Sequence, residues 1–216
     1  MTSSQGLIGI DESGKGDYFG PLVVAAVHVP RESYPELASK GVKDSKRVSD
    51  TRAKEIAQHI RQSFPHEVIV IGPERYNILY SRMRNLNRIL AWAHARALEN
   101  LLDRVVCDMA LSDKFGDVRF IENALMEKGR TITLLQQVRA EEDISVASAS
   151  LVARAEFLHR LKEISTRWAC PLPKGAGPQV EETAQHLVQK FGPEVLSQIA
   201  KVHFRTTKRV LDSVRR

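Results

Sequence analysis

Apolar positions along this chain fall into two rhythms, short continuous runs and helical spacing. Leu7-Ile8-Gly9-Ile10 and Leu22 to Val29 are continuous runs, which predict two buried strands joined by a connection carrying three glycines. Ser49-Asp50-Thr51 then offers a helix cap, and Ala53, Ile56, Ala57, Ile60 and Phe64 follow at helical spacing up to Pro65. Glu67 to Ile71 predicts a strand, and Gly72-Pro73 opens a helical stretch. Leu86, Ile89, Leu90, Ala93 and Ala97 mark a longer helix with a buried face that ends near Leu101 and Leu102. Arg104 to Ser112, with Val105-Val106-Cys107 and Ala110-Leu111, predicts a strand ending at Asp113 and the loop Lys114-Phe115-Gly116. A short helix around Val118 to Met126 and a strand at Thr131 to Leu135 continue the α/β alternation. From Ile144 to about Trp168 the pattern is one helix, broken by Pro171, Pro173, Gly175, Gly177 and Pro178, with two more helical stretches running to Arg216. The expected architecture is a mixed sheet flanked by helices, an α/β class, with a mostly helical C-terminal part. No internal repeat, low-complexity tract or heptad array interrupts it, and residues 1–216 are expected to form one domain, with an α/β core over about 7–143.

Composition narrows the partners. The 216 residues are 43% hydrophobic, enough for an ordinary buried core. Lys and Arg number 32 against 26 Asp and Glu, a net charge of +6 that makes a polyanion a plausible partner. Cys107 and Cys170 are the two cysteines and have no CxxC spacing, which argues against a zinc site or a disulfide framework. Met1-Thr2-Ser3-Ser4-Gln5-Gly6 shows neither a basic n-region nor an apolar h-region, and no apolar stretch approaches membrane-spanning length. No membrane association is expected, and the reducing cytoplasm is the expected location.

Candidate chemistry lies at the predicted strand ends. Asp11-Glu12 closes the first strand, Asp113 closes a later one, and Glu141, Glu142 and Asp143 stand just before the long helix. On a regular strand neighbouring side chains point to opposite faces, so Asp11 and Glu12 could share one site only if the backbone turns there. Carboxylates drawn together repel one another and are tolerated mainly around divalent cations, and oxygen ligands favour magnesium or manganese over zinc. Two such ions about 4 Å apart can activate a water, stabilise the leaving oxygen and hold a phosphate in line. Separate surface acids are the plainer alternative. The segment Gly14-Lys15-Gly16-Asp17-Tyr18-Phe19-Gly20 is neither a dinucleotide fingerprint nor a P-loop, because the glycine spacing is wrong and it leads into a strand. Ser145, Ser148 and Ser150 are read as small residues that permit close packing rather than as nucleophiles, and His203 is read as structural. Tyr18 and Phe19 either edge a substrate or pack beneath the loop, with packing favoured for Phe19.

Several words of the sequence form one ordered set. They are Gly9-Ile10-Asp11-Glu12-Ser13-Gly14-Lys15-Gly16-Asp17-Tyr18-Phe19-Gly20-Pro21 and Gly41-Val42-Lys43-Asp44-Ser45-Lys46. Further along come Asn87-Arg88-Ile89-Leu90-Ala91-Trp92-Ala93-His94-Ala95, Leu111-Ser112-Asp113-Lys114-Phe115 and Ala140-Glu141-Glu142-Asp143 leading into Val146-Ala147-Ser148-Ala149-Ser150. Leu172-Pro173-Lys174-Gly175-Ala176 and Lys201-Val202-His203-Phe204 complete the set. In these words and their order the chain resembles the type 2 ribonucleases H, and ribonuclease HIII more than ribonuclease HII.

The resemblance implies a ribonuclease H-like fold and an endonuclease that cuts the RNA strand of RNA/DNA hybrids, leaving 5′-phosphate and 3′-hydroxyl ends. It implies Asp11, Glu12, Asp113 and Glu141 as catalytic and metal-binding acids for Mg2+ or Mn2+, Glu141 being placed by its nine-residue distance from Ser150. A Glu in the fourth place is similar to ribonuclease HIII, where ribonuclease HII has Asp. Gly14, Lys15 and Gly16 would contact the ribose beside the cut, since a turn with exposed backbone suits recognition of a 2′-hydroxyl. Ser45, Lys46 and Lys174 would hold the phosphate backbone.

Two departures shape the expectation. Ribonuclease HIII usually carries an N-terminal substrate-binding extension, whereas about six residues precede the first strand here, so tight hybrid binding is not expected. Ribonuclease HII reads a single embedded ribonucleotide with a Gly-Arg-Gly turn and a later tyrosine, but this chain has Lys15 and no tyrosine after Tyr80. RNA tracts are therefore the expected substrate, with no obligatory protein partner and a role in DNA replication. The alternatives are junction cleavage of the ribonuclease HII type, a non-catalytic hybrid-binding protein, and a general nuclease on the same scaffold.

Overall fold

The apolar run that precedes Asp11 becomes the middle strand of a five-stranded sheet. The structure is a computed structural model and describes residues 6–42 and 47–214. Strand β1 (Gly6–Ser13) pairs antiparallel with β2 (Leu22–Pro30), Leu7 opposite Val29 and Ser13 opposite Val23. With β3 (His66–Ile71), β4 (Met109–Asp113) and β5 (Thr133–Gln137), the order across the sheet is β3-β2-β1-β4-β5. The β1–β4 and β4–β5 pairings are parallel, so the sheet is mixed, as the alternating pattern predicts.

The helices among the described residues are α1 (Tyr34–Ser39), α2 (Asp50–Ser63), α3 (Pro73–Met83), α4 (Leu86–Leu102), α5 (Val118–Ala124), α6 (Ile144–Arg167), α7 (Pro178–Phe191), α8 (Val195–Ile199) and α9 (Arg205–Val214). Their ends follow local chemistry. The Ser49 side chain caps α2 by accepting from the Arg52 amide, and Asn85 caps α4 through the Asn87 amide. In α4 the apolar spacing does bury one face, with Ile89, Leu90, Ala93, Ala97 and Leu101 inside.

Several boundaries differ from the sequence pattern. The fourth strand starts at Met109, not Arg104, because Val106 is 79% exposed and only Cys107 of that apolar triplet is buried. The fifth is shifted toward Gln137, residues Gly129–Thr131 being a 3-10 turn instead. Among the described residues three helices follow the Pro/Gly break rather than two, since Gly192 takes a positive φ (84°) and, with Pro193, separates α7 from α8.

By contacts the chain divides into two compact units. The first draws its described residues from Met1–Ser13, Val23–Ile69 and Asn85–Ala155, the second from Gly14–Leu22, Val70–Arg84 and Glu156–Arg216. In the first unit Gly9 lies against the Ser145–Val146 backbone, where any β-carbon would collide. The missing side chain is what lets the start of α6 lie on β1. Beside that contact, Leu7, Leu111, Ala140 and Val146 form one buried cluster.

In the second unit residues 14–21 are tied down at many points. The amide of Tyr18 donates to the Gly175 carbonyl (2.8 Å), the Gly175 amide donates to Asp17 Oδ1 (2.6 Å), and the Tyr18 and Thr207 hydroxyls bond at 2.9 Å. Tyr18 and Phe19 are both fully buried, so both pack rather than edge a substrate. Lys201 is also fully buried, and its Nζ donates to the Gly20 carbonyl at 2.7 Å, with the Phe19 and Pro21 carbonyls at 3.4 Å. Burial pushes its pKa down to about 7, against the attraction of Asp17.

Because the folded lysine gives up its proton about three units below an unfolded one, the unfolded chain binds more protons between pH 7 and pH 10. This contribution to stability is complete above the unfolded pKa and is lost as pH falls toward 7. Urea melts at pH 7, 8.5 and 10 should show wild-type stability gaining on a Lys201→Met variant as pH rises, by up to about 1 kcal/mol per pH unit. Parallel pH profiles would show that Lys201 titrates in the fold as it does in the unfolded chain.

Candidate active site

Strand pairing sets two carboxylates side by side. In the parallel β1–β4 register Gly9 pairs with Leu111 and Ile10 with Ser112, so Asp11 and Asp113 are each the next residue on neighbouring strands. Side chains alternate along a strand, so these two share the face of Gly9 and Leu111, at the ordinary inter-strand spacing of about 5 Å. On that face α6 lies over β1, and Ser150 hydrogen-bonds Asp11.

The electrostatic result is visible on Asp11. Burial, followed by repulsion from Glu12 and, less strongly, from Asp113, pushes its carboxyl up to about 7, opposed by hydrogen bonds from Ser150 and the Glu12 amide (2.8 Å). A carboxyl held this high marks negative charge crowded into a partly dry place. Divalent cations relieve that strain, and the surrounding donors are oxygens.

Asp113 reaches the fourth acid's segment. Its Oδ1 accepts from the Ala140 amide (3.2 Å), and Ala140 begins the 3-10 turn Ala140–Glu142 that follows left-handed Arg139 (φ 59°). Three acids were open here from sequence. Asp143 is committed elsewhere: its Oδ1 accepts from the Ser145 amide (2.8 Å), the Ser145 hydroxyl (2.6 Å) and the Tyr34 hydroxyl (3.0 Å), capping α6. Glu142 is exposed, and Glu141 is half-buried in the turn beside Asp113.

Glu12 does not turn toward Asp11. β1 stays regular through Ser13, which puts Glu12 on the other face with Ile10 and Ser112. There its Oε2 is 3.1 Å from Nε2 of His94, a fully buried histidine in α4. As they stand, no three His, Cys, Asp or Glu side chains among the described residues are set closely enough to enclose an ion. The donor chemistry nevertheless fits a hard divalent cation, with Asp11, Asp113, Glu12 and Glu141 as the residues that could hold it.

Of the expected substrate contacts, Gly14, Lys15, Gly16 and Lys174 lie in the second unit, and Ser45 and Lys46 lie outside the described residues. The bonds from Asp17 and Tyr18 to Gly175 bring the Gly14–Gly16 turn and the Lys174 segment together. The two glycines differ. Gly14 has φ 87° and a β-carbon on it would strike the Pro21 carbonyl, whereas Gly16 has nothing within 4 Å of where a β-carbon would be. Gly14 is needed by the fold, and the exposed Gly16 leaves its surroundings open.

His94 and Ser150 are the residues whose part was not read from sequence. Helical spacing from Leu90 and Ala97 already places His94 on the buried face of α4, and a buried imidazole must find polar partners. His203 stacks on Tyr80 (ring centroids 4.0 Å), and burial, with the Lys201 charge, pushes its pKa down to about 4, as suits a structural residue.

The sequence model of the ribonuclease HII family matches residues 8–207. Ribonuclease HIII of Protochlamydia amoebophila is 39% identical over 207 residues, which cover 96% of this chain and 69% of that protein. Ribonuclease HIII of Chlamydia caviae is 41% identical over 209 residues, 95% of this chain and 70% of that protein. The crystal structure of Bst-RNase HIII in complex with Mn2+ superimposes with a TM-score of 0.91 at 36% identity, covering 99% of this chain and 72% of that one. The strand-end carboxylates, the mixed sheet and these similarities agree: the chain belongs to the ribonuclease HII family of ribonucleases H, and within it is similar to ribonuclease HIII.

Proposed function

We propose that this protein hydrolyses the RNA strand of RNA/DNA hybrids, leaving 5′-phosphate and 3′-hydroxyl ends, with Asp11, Glu12, Asp113 and Glu141 as its catalytic acids. The observation that carries this reading is the parallel β1–β4 register, which sets Asp11 and Asp113 side by side on the face that α6 covers, in a chain that matches the ribonuclease HII family over residues 8–207. Mg2+ or Mn2+ bound by these acids would neutralise the crowding and supply two-ion chemistry, an activated water and a stabilised leaving oxygen. The chain's own residues prepare that place. Ser150 fixes one side of Asp11, the Ala140 amide fixes Asp113, and Asp143 anchors the turn bearing Glu141 by capping α6.

Recognition of RNA falls to the second unit's turn. Gly14, Lys15 and Gly16, joined to the Lys174 segment through Gly175, offer backbone to a ribose 2′-hydroxyl and cations to phosphates. The protein would work in the cytoplasm on hybrids arising in DNA replication. No helix among the described residues is long and apolar enough to cross a membrane.

Cleavage of a labelled RNA/DNA hybrid in Mg2+ or Mn2+ tests the central claim. An Asp113→Asn variant should lose more than about 100-fold in rate while still shifting hybrid in a gel, since in this reading Asp113 serves the ions and the Gly14–Gly16 turn serves the substrate. Absence of cutting by the wild type under either ion would instead point to a hybrid-binding protein.

A substrate series addresses specificity. Hybrids with RNA tracts of several residues should be cut well and a single embedded ribonucleotide poorly, because Lys15 replaces the arginine of the junction-reading turn. Equal rates on the two would contradict the ribonuclease HIII-like assignment.

Gly16→Val probes the turn. The added side chain meets no protein atom, so the melting temperature should hold within a few degrees while hybrid KM rises about tenfold, or about 1.4 kcal/mol. An unchanged KM would remove Gly16 from the substrate surface.

A further inference from the structure

We propose that His94 is a positioning residue for the carboxylate site, holding Glu12 at the end of β1 and tying it through Ser112 to the end of β4. This inference rests on the catalytic reading of Glu12 and Asp113. His94 sits in the middle of α4 with no exposed surface, and both ring nitrogens are engaged. Nε2 lies 3.1 Å from Glu12 Oε2, and Nδ1 lies 3.1 Å from Ser112 Oγ. Ser112 is itself fully buried, and its hydroxyl is 3.0 Å from the Asp113 carbonyl, to which it donates. The Phe115 ring, tilted at 4.7 Å centroid distance, closes a further side of the imidazole.

A helix that needed only core packing here would carry leucine, as at Leu90 and Leu98 on the same helix. A buried imidazole is costly unless bonded, and both of its bonds lead to strand ends that carry candidate acids. One imidazole therefore connects two residues that β1 and β4 bring from distant parts of the chain. Glu12 has a long side chain with several rotamers, and the imidazole meets one of its carboxylate oxygens near the end of β1. Anchoring one oxygen narrows that choice before any ion arrives, which is how an outer partner raises the affinity of a ligating carboxylate.

The test uses the whole chain and Mn2+ itself, with binding read by electron paramagnetic resonance of the free ion, independently of cleavage. His94→Leu removes both bonds and should weaken Mn2+ affinity by about 10- to 100-fold. Its hybrid KM should stay unchanged, and part of its cleavage rate should return at high Mn2+. His94→Gln, which keeps an amide donor for Glu12, should recover much of the lost affinity. Should His94→Leu fail to fold, Ser112→Ala, which removes only the bridging hydroxyl, should weaken Mn2+ binding several-fold. Folded His94→Leu protein with wild-type Mn2+ affinity, or Ser112→Ala with wild-type affinity where the leucine variant does not fold, overturns the inference while leaving the catalytic reading intact. Wild-type protein that binds no Mn2+ overturns both.

Discussion

The close approach of α6 to β1 at Gly9 is the constraint on which the candidate site depends. Any side chain at Gly9 would collide with the Ser145–Val146 backbone, so the helix could not lie where it does. From that contact the helix runs along the strand until Ser150 bonds Asp11, and the burial that raises the Asp11 carboxyl follows. Asp143 starts the same helix by capping it, which leaves Glu141 in the preceding turn and Asp113 against the Ala140 amide. Small side chains at Ala147, Ser148 and Ala149, all buried, keep the helix close. Of the serines that might suggest a nucleophile, Ser148 serves packing, its hydroxyl donating back to the Ile144 carbonyl at 2.7 Å, while Ser145 and Ser150 bond the carboxylates of Asp143 and Asp11.

What could be read from sequence was whatever local chemistry decides. The runs before Asp11 and after Pro21 are strands because they are buried on both faces, and α4 shows its apolar spacing because one face is in the core. The position of Asp11, Glu12 and Asp113 at strand ends was legible for the same reason. Nonlocal pairing was not. Val105 and Val106 look like strand residues, but β4 begins where parallel pairing with β1 and β5 can satisfy its backbone, after them. The partition among Glu141, Glu142 and Asp143 depends on which carboxylate the α6 amides recruit, and the imidazole that meets Glu12 lies 82 residues away. Neither is encoded in spacing.

The two units treat charge in contrasting ways. In the first, carboxylates are packed closely enough to raise the Asp11 carboxyl, a condition suited to binding cations. In the second, a positive charge is withdrawn from water and spread over three carbonyls of residues 19–21. Lys201 thus stiffens the segment that follows the Gly14–Gly16 turn without a carboxylate partner at hydrogen-bonding distance among the described residues. The open surroundings of Gly16 and the crowded ones of Gly14 show the same division within three residues, one glycine facing outward and one locked inward.

The parallel pairing of β1 with β4 also bears on when the protein becomes competent during its synthesis. β1 leaves the ribosome about a hundred residues before its neighbour β4, and α6 follows later still. Until that long loop closes, Asp11 has neither Asp113 beside it nor Ser150 over it. A nascent chain that carries Asp11, Glu12 and even Asp113 lacks the cover that α6 provides. A site built this way is incomplete on the nascent chain until α6 has emerged and packed on β1.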